Sequence, residues 1–517
     1  MTSTANDMPV DVLVCGAGPT GLVLAYKLHQ LGVRVRVIDA APGPGTTSRA
    51  LVVHARTLEL YRQMGLADGL LAEGVQVRGG NLWVRGKRVG HAELGEIGTG
   101  MSPFPFLTVV PQDRHERFLV AALERGGLAV ERSTRLEGFE QSADGVRATI
   151  VRADGSREVI RAAYLAGCDG AHSRVREVLG IGFPGGTYAQ YFYVADVEAS
   201  GALVDGDLHV ALDDADFLAV FPLKGGRTAR LVGIARAERE GSPENLRWED
   251  VQSRVIGQLG VAVERVNWFS TYKVHHRVAN RFSDGRVFLL GDAAHIHSPA
   301  GGQGMNTGIG DAVNLGWKLA EVVKDGAAPA LLESYAPERR AFAQKLVATT
   351  DQVFVAATSP GKLARFVRTR IVPRVVPVAL RLEMVKRLAF LTLSQIAIEY
   401  RASALSAGEL GEVRGGDRLP WTALDGGSRW PDNYAVLDGH SWQVHVYGVA
   451  DEPLADACER AGLVTCEFPW QTVMADAGLI RDGLYLVRPD GYLAMVARAG
   501  EIEKLVHHYG RIRTSGA

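Results

Sequence analysis

The 517-residue sequence predicts an α/β protein, and two similar segments support this prediction. In the first segment, an apolar run at residues 10–15 leads into a glycine-rich turn and then a helical pattern. In the second, an apolar run at 287–290 ends in Gly291-Asp292, followed by a glycine-rich loop and another helical pattern. Strands that alternate with helices favour a parallel sheet that is covered by helices.

The first glycine-rich turn has the spacing of a dinucleotide-binding motif. Gly16 permits the tight turn, Gly18 lets a pyrophosphate approach the backbone, and Gly21 lets helix and strand pack closely. A second strand-like run ends at Asp39, about twenty residues further on, where a carboxylate can accept a hydrogen bond from a ribose hydroxyl. An acid there favours the unphosphorylated ribose of FAD or NAD over that of NADP. The motif alone does not choose between FAD and NAD.

The second segment, residues 291–306, predicts a cradle for a polar ring or a phosphate chain. Asp292 would repel a phosphate but can accept hydrogen bonds from hydroxyls, so the expected ligand has both a sugar alcohol and a flat ring. A third segment, at 164–174, carries Asp169-Gly170 at the end of another strand-like run. It repeats the pattern of an acid and a glycine at a strand end.

Composition argues against several classes of protein. A net charge of -1 gives no support to nucleic-acid binding, which usually shows a basic excess. The four cysteines form no CxxC pair and no Cys/His cluster, which argues against a disulfide scaffold and a metal site. The N-terminus lacks a secretory pattern, and no uninterrupted apolar run is long enough to span a bilayer. We therefore expect a cytoplasmic protein with no membrane partner.

The rest of the chain divides by pattern. Residues 68–110 contain short alternating segments, and residues 181–274 are strand-like and rich in aromatic side chains. These aromatics indicate either a sheet core or the lining of an apolar pocket, and the pattern leaves both open. Residues 362–400 are largely helical. From about residue 405 a separate α/β unit begins, which is expected to be a passive stabilising unit because its cysteines lack redox spacing.

The order and approximate spacing of the three motifs resemble those of the class A flavoprotein aromatic monooxygenases, the p-hydroxybenzoate hydroxylase family. The resemblance covers residues ~8–350 and is strongest to larger members that hydroxylate aromatic polyketides, phenol or rifampicin. It implies a Rossmann-like FAD-binding domain (1–180 and 276–404, with 68–110 contributing to the substrate layer). It further implies an inserted β-sheet substrate domain (181–275) and a thioredoxin-like C-terminal domain (405–517).

The resemblance also implies a role for each matching position. Pro299, Gly301 and Gly302 would lie at the reactive edge of the flavin ring. The family usually has glutamate where this chain has Asp39. The implied FAD-binding residues are Gly16, Gly18, Pro19, Thr20, Gly21, Asp39, Ala40, Arg49, Gln112, Asp169, Gly170, Gly291, Asp292, Pro299, Gly302, Gly304, Met305 and Asn306.

The implied reaction needs FAD, NAD(P)H as co-substrate and O2, because oxygen reacts slowly with closed-shell organic molecules. In the family's mechanism, NAD(P)H reduces FAD, oxygen adds to give a C4a-hydroperoxide, and the distal oxygen passes to an aromatic substrate. No residue stands out as a general base, and His54, His275 and His295 are candidates in type only. A homodimer is an open expectation.

Two alternatives remain at the level of sequence. The same scaffold could insert oxygen beside a ketone, which is a Baeyer–Villiger or ring-opening outcome. A flavin-bearing binding protein could instead sequester an aromatic intermediate without converting it. Ligand-stimulated oxidation of NAD(P)H distinguishes an enzyme from the binding protein.

Overall fold

The computed structural model describes residues 10–45, 50–201, 203–212, 217–235, 246–250, 256, 259–298, 300–358, 361–379, 381–425 and 428–515. The strands are β1 (Val10–Cys15), β2 (Val35–Ile38), β3 (Val52–Val53), β4 (Val75–Val77), β5 (Gly79–Val84), β6 (Lys87–Glu93), β7 (Leu107–Val109), β8 (Val130–Glu131), β9 (Arg135–Ser142), β10 (Gly145–Val151), β11 (Arg157–Gly167), β12 (Gly185–Ser200), β13 (Leu208–Leu212), β14 (Phe217–Pro222), β15 (Thr228–Ala235), β16 (Ala262–Val278), β17 (Ser283–Asp284), β18 (Val287–Leu289), β19 (His295–Ile296), β20 (Glu409–Leu410), β21 (Val413–Arg414), β22 (Gln443–Tyr447), β23 (Val464–Phe468), β24 (Leu484–Val487) and β25 (Leu493–Ala497).

The helices connect and cover these strands. They are α1 (Pro19–Gln30), α2 (Ala55–Gln63), α3 (Ala67–Glu73), α4 (Gln112–Arg125), α5 (Arg174–Val178), α6 (Gly304–Val323), α7 (Tyr335–Thr358), α8 (Lys362–Phe366), α9 (Val372–Ala379), α10 (Glu383–Leu393), α11 (Glu452–Ala461), α12 (Thr472–Asp476) and α13 (Ile502–Ser515). A π-helical turn, Val367–Ile371, joins α8 to α9. The mixed α/β fold predicted from the sequence is confirmed.

The first large sheet places the three sequence motifs at one edge. Its strand order is β17-β18-β11-β1-β2-β8, with β10 pairing to β11 and β9 to β10. Strand β1 runs parallel to both β2 and β11, and β11 runs parallel to β18. The central residues Val12, Leu13 and Val14 are fully buried, as expected of a parallel strand covered on both faces. The carboxyl ends of β1, β2, β11 and β18 therefore lie side by side.

The second large sheet has the order β19-β16-β12-β15-β14-β13-β5-β6 and is antiparallel except where β13 meets β5. Side chains alternate between its faces, so Ala229 and Leu231 enter a buried core while Val232 and Ile234 on the same strand stay half-buried on the other face. That other face meets the small sheet β3-β7-β4 through a cluster that includes Val52 and Phe221.

The C-terminal residues form a four-stranded sheet of order β23-β22-β24-β25. Strand β23 is parallel to β22, and the other two pairings are antiparallel. The apolar core around this sheet is continuous with α6, because Trp317 packs edge-on against Trp442 with ring centroids 5.5 Å apart. The sequence patterns missed β23 and α12, which are short and, in β23, only partly buried.

Candidate active site

The first motif forms a tight turn at the carboxyl end of β1. Gly16 has a φ of 103°, and a Cβ there would overlap the carbonyl group of Cys168. A Cβ on Gly21 would overlap the Gly16 carbonyl oxygen, so packing within the chain requires both glycines. A Cβ on Gly18 would have no heavy atom within 4 Å. The open space beside Gly18 adjoins the start of α1, where backbone N–H groups favour an anionic ligand.

Asp39 stabilises this turn from the end of β2. Its Oδ2 accepts a hydrogen bond from the backbone N–H of Ala17 at 2.6 Å, and its Oδ1 accepts one from Ala41 at 2.7 Å. Ala40, between Asp39 and Ala41, is exposed. A carboxylate oxygen has two lone pairs, so each oxygen of Asp39 retains one that could accept from a ribose hydroxyl.

Thr20 brings the second motif against the first. Gly291 has a φ of 57°, and a Cβ there would lie 2.6 Å from Oγ1 of Thr20. The backbone N–H of Gly291 also donates to Asp311 of α6 at 3.0 Å. The next residue, Asp292, is exposed beside this contact. The glycine at 291 thus lets the end of β18 approach the first turn of α1. Asp292 follows directly at the exposed side of this contact.

The third motif lies between the other two, at the end of β11. Oδ2 of Asp169 accepts from the backbone N–H of Val175 at 3.0 Å, whereas Oδ1 is buried without a partner in the described part of the chain. Burial raises the pKa of Asp169, and the hydrogen bond from the Val175 backbone opposes that rise. Gly170 has a φ of 78° and open space where a Cβ would lie.

Residues 300–303, between β19 and α6 and here called the glycine loop, are anchored through the amide side chain of Asn306. Oδ1 of Asn306 accepts from the backbone N–H of His54 at 2.9 Å and from the hydroxyl of Thr57 at 2.8 Å. Its Nδ2 donates to the carbonyls of Val52 at 2.8 Å and Gly302 at 3.0 Å. The side chain of Asn306 therefore serves the protein's own structure, which leaves the backbone of this loop to face a ligand.

Two glycines give the same loop its shape. Gly301 and Gly302 adopt φ values of 77° and 63°, which favour glycine, and a Cβ on Gly302 would lie 2.9 Å from the Cβ of Val52. Gly304 and Met305 were also predicted to bind FAD. Gly304 is half-buried and begins α6, and Met305 is buried. The loop thus packs tightly on β3.

All three histidines that were candidates in type have partners within the protein. His54 is buried, and its Nε2 lies 2.9 Å from the Gly301 carbonyl oxygen. His295 is buried against Asp311 with an N–O distance of 2.7 Å, and His275 lies 2.8 Å from the hydroxyl of Thr187. His54 therefore supports the glycine loop from behind, a role that no sequence pattern indicated.

The structure gives less direct information on three of the predicted FAD-binding residues. Pro299 and Arg49 lie outside the described residues. Gln112 begins α4, and its Nε2 donates to Glu116 at 2.9 Å, while its backbone N–H donates to the Ala50 carbonyl. Gln112 therefore lies next to the segment that leads into β3 and the glycine loop.

Comparison with known proteins decides the family. A family model described as "FAD binding domain" matches residues 9–350. The chain belongs to this FAD-binding family. Its relatives include a flavin-dependent monooxygenase of Mycobacteroides abscessus, 32% identical over 505 residues, which are 95% of this chain and 97% of that protein. The family predicted from the three motifs is thus confirmed.

Other relatives of this FAD-binding enzyme have more specific names. The 6-methylpretetramide 4-monooxygenase of Streptomyces rimosus is 35% identical over 514 residues, which cover 93% of this chain and 90% of that protein. The solved ternary complex of aklavinone-11 hydroxylase with FAD and aklavinone aligns with a TM-score of 0.81 and 26% identity, over 98% of this chain and 99% of that one.

The geometry of the site fits FAD. The open space at Gly18 adjoins the helix start, as a pyrophosphate requires. The unpartnered Oδ1 of Asp169 is an acceptor that a ligand could satisfy, since leaving a buried polar atom unpaired costs about 1–3 kcal/mol. Asp39 and Asp292 lie on either side of this space at strand ends of the same sheet, so a dinucleotide could extend between them.

Sequence reasoning missed a buried ion pair beside the site. Arg230 on β15 is fully buried and makes two hydrogen bonds to the carboxylate of Asp196, at 2.6 and 2.7 Å. Its guanidinium lies 5.6 Å from the ring centroid of Trp268, and it also donates to the Ala50 carbonyl at 3.4 Å. The pair thus joins the half-buried face of the second sheet to the segment that precedes β3. The one sequence feature that could have indicated a buried charge was an arginine between the apolar residues Ala229 and Leu231.

Buried histidines predict a loss of stability in acid. Burial lowers the pKa of His54 and His297 to about 4, and that of His115 and His445 to about 3, from 6.5. The unfolded chain therefore binds more protons as the pH falls below 6.5. Each such histidine should lower the free energy of unfolding by up to about 1.4 kcal/mol per pH unit between 6.5 and its folded pKa.

Urea unfolding at about pH 7.5 and about pH 5.5 measures this loss. His115→Gln should reduce the pH dependence, because it removes one group that protonates only on unfolding. An equal pH dependence in both proteins would contradict the assignment of His115 as a buried neutral group.

Proposed function

We propose that the chain is a monooxygenase that uses FAD, NAD(P)H and O2 to hydroxylate a phenolic or polyketide-type aromatic substrate. The observation that carries the proposal is the convergence of all three motifs on the carboxyl edge of one sheet. A half-buried apolar face of a second sheet meets the glycine loop through β3. The names of the relatives support oxygen transfer to an aromatic ring as the reaction.

We propose specific roles for the residues of the site. The turn from Gly16 to Gly21, including Pro19 and Thr20, holds the FAD pyrophosphate. Asp39 and Ala40 lie at the adenosine ribose. Asp292 accepts from the ribityl hydroxyls, and the backbone from Gly302 to Asn306 faces the flavin ring. Arg49, Gln112, Asp169 and Gly170 complete the cofactor site, and Pro299 with Gly301 and Gly302 borders the reacting edge.

The side chains of the second sheet would receive the substrate. Leu208, Phe221 and Leu223 are half-buried and cluster with Val52, which packs on Gly302. FAD, when bound and reduced, supplies the oxygen-activating chemistry. The apolar side chains exclude water from that chemistry and favour a flat aromatic ring over a hydrated polar molecule. The pair of Arg230 and Asp196 fixes the position of this face against Ala50.

For the domain organisation, we propose FAD-binding segments at 1–180 and 276–404, a substrate domain at 181–275 and a thioredoxin-like domain at 405–517. The four-stranded C-terminal sheet, with one parallel and two antiparallel pairings and helices between, supports the last of these. We further propose a cytoplasmic location and a homodimer.

A substrate screen tests the function. The purified protein should carry yellow FAD and oxidise NAD(P)H faster in the presence of an accepted aromatic compound. Mass spectrometry of the product then distinguishes ring hydroxylation from the lactone of a Baeyer–Villiger reaction. No stimulation across a broad panel of phenols and polyketide aromatics would favour the flavin-bearing binding protein.

The role of Asp292 is tested by Asp292→Asn. We expect FAD to bind about tenfold more weakly, because an acceptor for ligand hydroxyls is replaced by a weaker, neutral one. The measurement is an FAD titration followed by flavin fluorescence. Glu333→Gln is the matched control, since it removes one negative charge from an exposed residue outside the site. Equal affinity in Asp292→Asn and the parent protein would exclude Asp292 from the site.

A further inference from the structure

Residues 361–379 and 381–393, here called the strap, contain α8, the π-helical turn, α9 and α10. Among the described residues, ten of the fifteen exposed large apolar side chains lie in the strap. They are Leu363, Phe366, Val367, Ile371, Val375, Val378, Leu382, Met384, Leu388 and Leu393. Soluble monomers rarely expose a large contiguous apolar patch, so such a concentration marks an interaction surface.

The strap is held on the protein by its other side. Pro377 packs on Gly90 of β6, where a Cβ would lie 2.8 Å from the proline ring. Further along, buried Phe390 packs directly on Gly98. Val375 and Val378 lie on the sides of α9 that point away from Pro377, because successive helical residues are rotated by about 100°. Val375, on the side opposite Pro377, is therefore not needed to attach the strap, whereas Leu393 at its end contacts Gly301 of the glycine loop.

The strap is also strongly basic. It contains eight basic residues and one acidic residue, whereas the whole chain has a net charge of -1. The acidic residue, Glu383, already pairs with Lys386 at 2.7 Å. The basic residues are Lys362, Arg365, Arg368, Arg370, Arg374, Arg381, Lys386 and Arg387. Five of these arginines, at 365, 370, 374, 381 and 387, are exposed, so the surface combines exposed apolar groups with an excess of positive charge.

We propose that the strap docks on an anionic lipid surface. Helices that lie in a membrane interface insert apolar side chains below the headgroups, while lysine and arginine contact the lipid phosphates. A second copy of the chain is a poorer occupant, because two identical basic faces would repel each other. None of the described helices is long and apolar enough to cross a membrane, and interfacial docking needs no such helix. The proposal revises the sequence-based expectation of no membrane partner.

Vesicle flotation of the full-length, FAD-loaded protein tests the proposal. We expect binding to vesicles of phosphatidylcholine with phosphatidylglycerol to be at least about tenfold tighter than to phosphatidylcholine alone. Raising the salt concentration from ~0.1 M to ~1 M should weaken this binding, because the Debye length falls from ~10 Å to ~3 Å. Equal binding to both kinds of vesicle, or none to either, would overturn the proposal.

Substitutions in the strap test whether this segment is the part of the protein that binds vesicles. Leu363 and Met384 are 77% and 78% exposed, so Leu363→Glu/Met384→Glu should leave thermal unfolding unchanged and weaken vesicle binding at least about tenfold. Val449→Glu is the control, because Val449 is 68% exposed and lies outside the strap. Unweakened vesicle binding by the double variant would contradict the assignment. A dimer that the double variant disrupts, without vesicle binding by the parent, would instead identify a second copy as the occupant.

Discussion

Gly18→Ala is expected to fold like the parent protein and to bind FAD about tenfold to a hundredfold more weakly. The added methyl group meets no protein atom within 4 Å, so it enters only the space that we assign to the pyrophosphate. Overpacking of that kind costs about 1–3 kcal/mol. Urea unfolding of the apoprotein and an FAD titration measure the two effects separately.

Gly21→Ala is the matched comparison for this experiment. It adds the same methyl group three residues away, but that methyl overlaps the Gly16 carbonyl oxygen, which is backbone and cannot move aside. We therefore expect Gly21→Ala to lose soluble folded protein, with or without FAD. Wild-type affinity in Gly18→Ala would remove Gly18 from the cofactor site, and a normally stable Gly21→Ala would contradict the packing described for the turn.

Arg488→Met is expected to destabilise the whole chain by about 3–5 kcal/mol. Arg488 is fully buried and makes two hydrogen bonds to Glu338 of α7, at 2.8 and 3.0 Å, and two to Asp490, at 3.0 and 2.7 Å. Burial opposes the ionisation of Glu338, but Arg488 and Lys318 together lower its pKa below the ordinary value. Without Arg488, two buried carboxylates lose their main cationic partner.

Arg401→Met is the control, because Arg401 makes a similar pair with Asp417 at 2.6 Å but is 43% exposed. A surface pair of this kind contributes about 0–1 kcal/mol. The free energies of unfolding of both variants, from urea titrations, give the comparison. Equal losses would show that burial does not set the strength of the Arg488 network.

Buried contacts between the C-terminal unit and the rest of the chain predict how truncation of that unit affects stability. Asp490 accepts from the indole N–H of Trp317 at 3.0 Å, and its carbonyl accepts from Arg56 at 2.6 Å. Arg418 makes two hydrogen bonds to buried Glu59 of α2. Removal of residues 405–517 would take away the partner of the Trp317 indole and one partner each of Arg56 and Glu59. We therefore expect the truncated chain to be less stable, in line with the stabilising role that the sequence suggested for this unit.

The sequence predicted what depends on local pattern. The turn of Gly16 and Gly21 and the strand-end acids follow from spacing, because parallel strands bring their carboxyl ends to one edge. The strands of the second sheet were predicted from the short alternating segments at 68–110 and the strand-like, aromatic-rich residues at 181–274. The anchoring of the glycine loop did not follow, since Asn306 and His54 are 252 positions apart in the chain.

The pairing of Arg488 with Glu338 and that of Arg230 with Asp196 were hidden for the same reason. Charged residues are common in any sequence, and only the fold decides which of them become buried together. The strap shows a different limit of prediction from the sequence. Its helices were predicted, but exposure of their apolar side chains could not be read from residues whose pattern equally suits a buried helix.

The hydrogen bonds of the Asn306 amide determine what fraction of molecules has the glycine loop displaced. Three of its four hydrogen bonds join it to β3 and α2, and the fourth ties it to Gly302 of the loop itself. At about 1 kcal/mol each, the three bonds to β3 and α2 hold the released loop to roughly one molecule in a hundred and fifty. A ligand bound against this loop would therefore meet a backbone that stays in place in nearly all molecules.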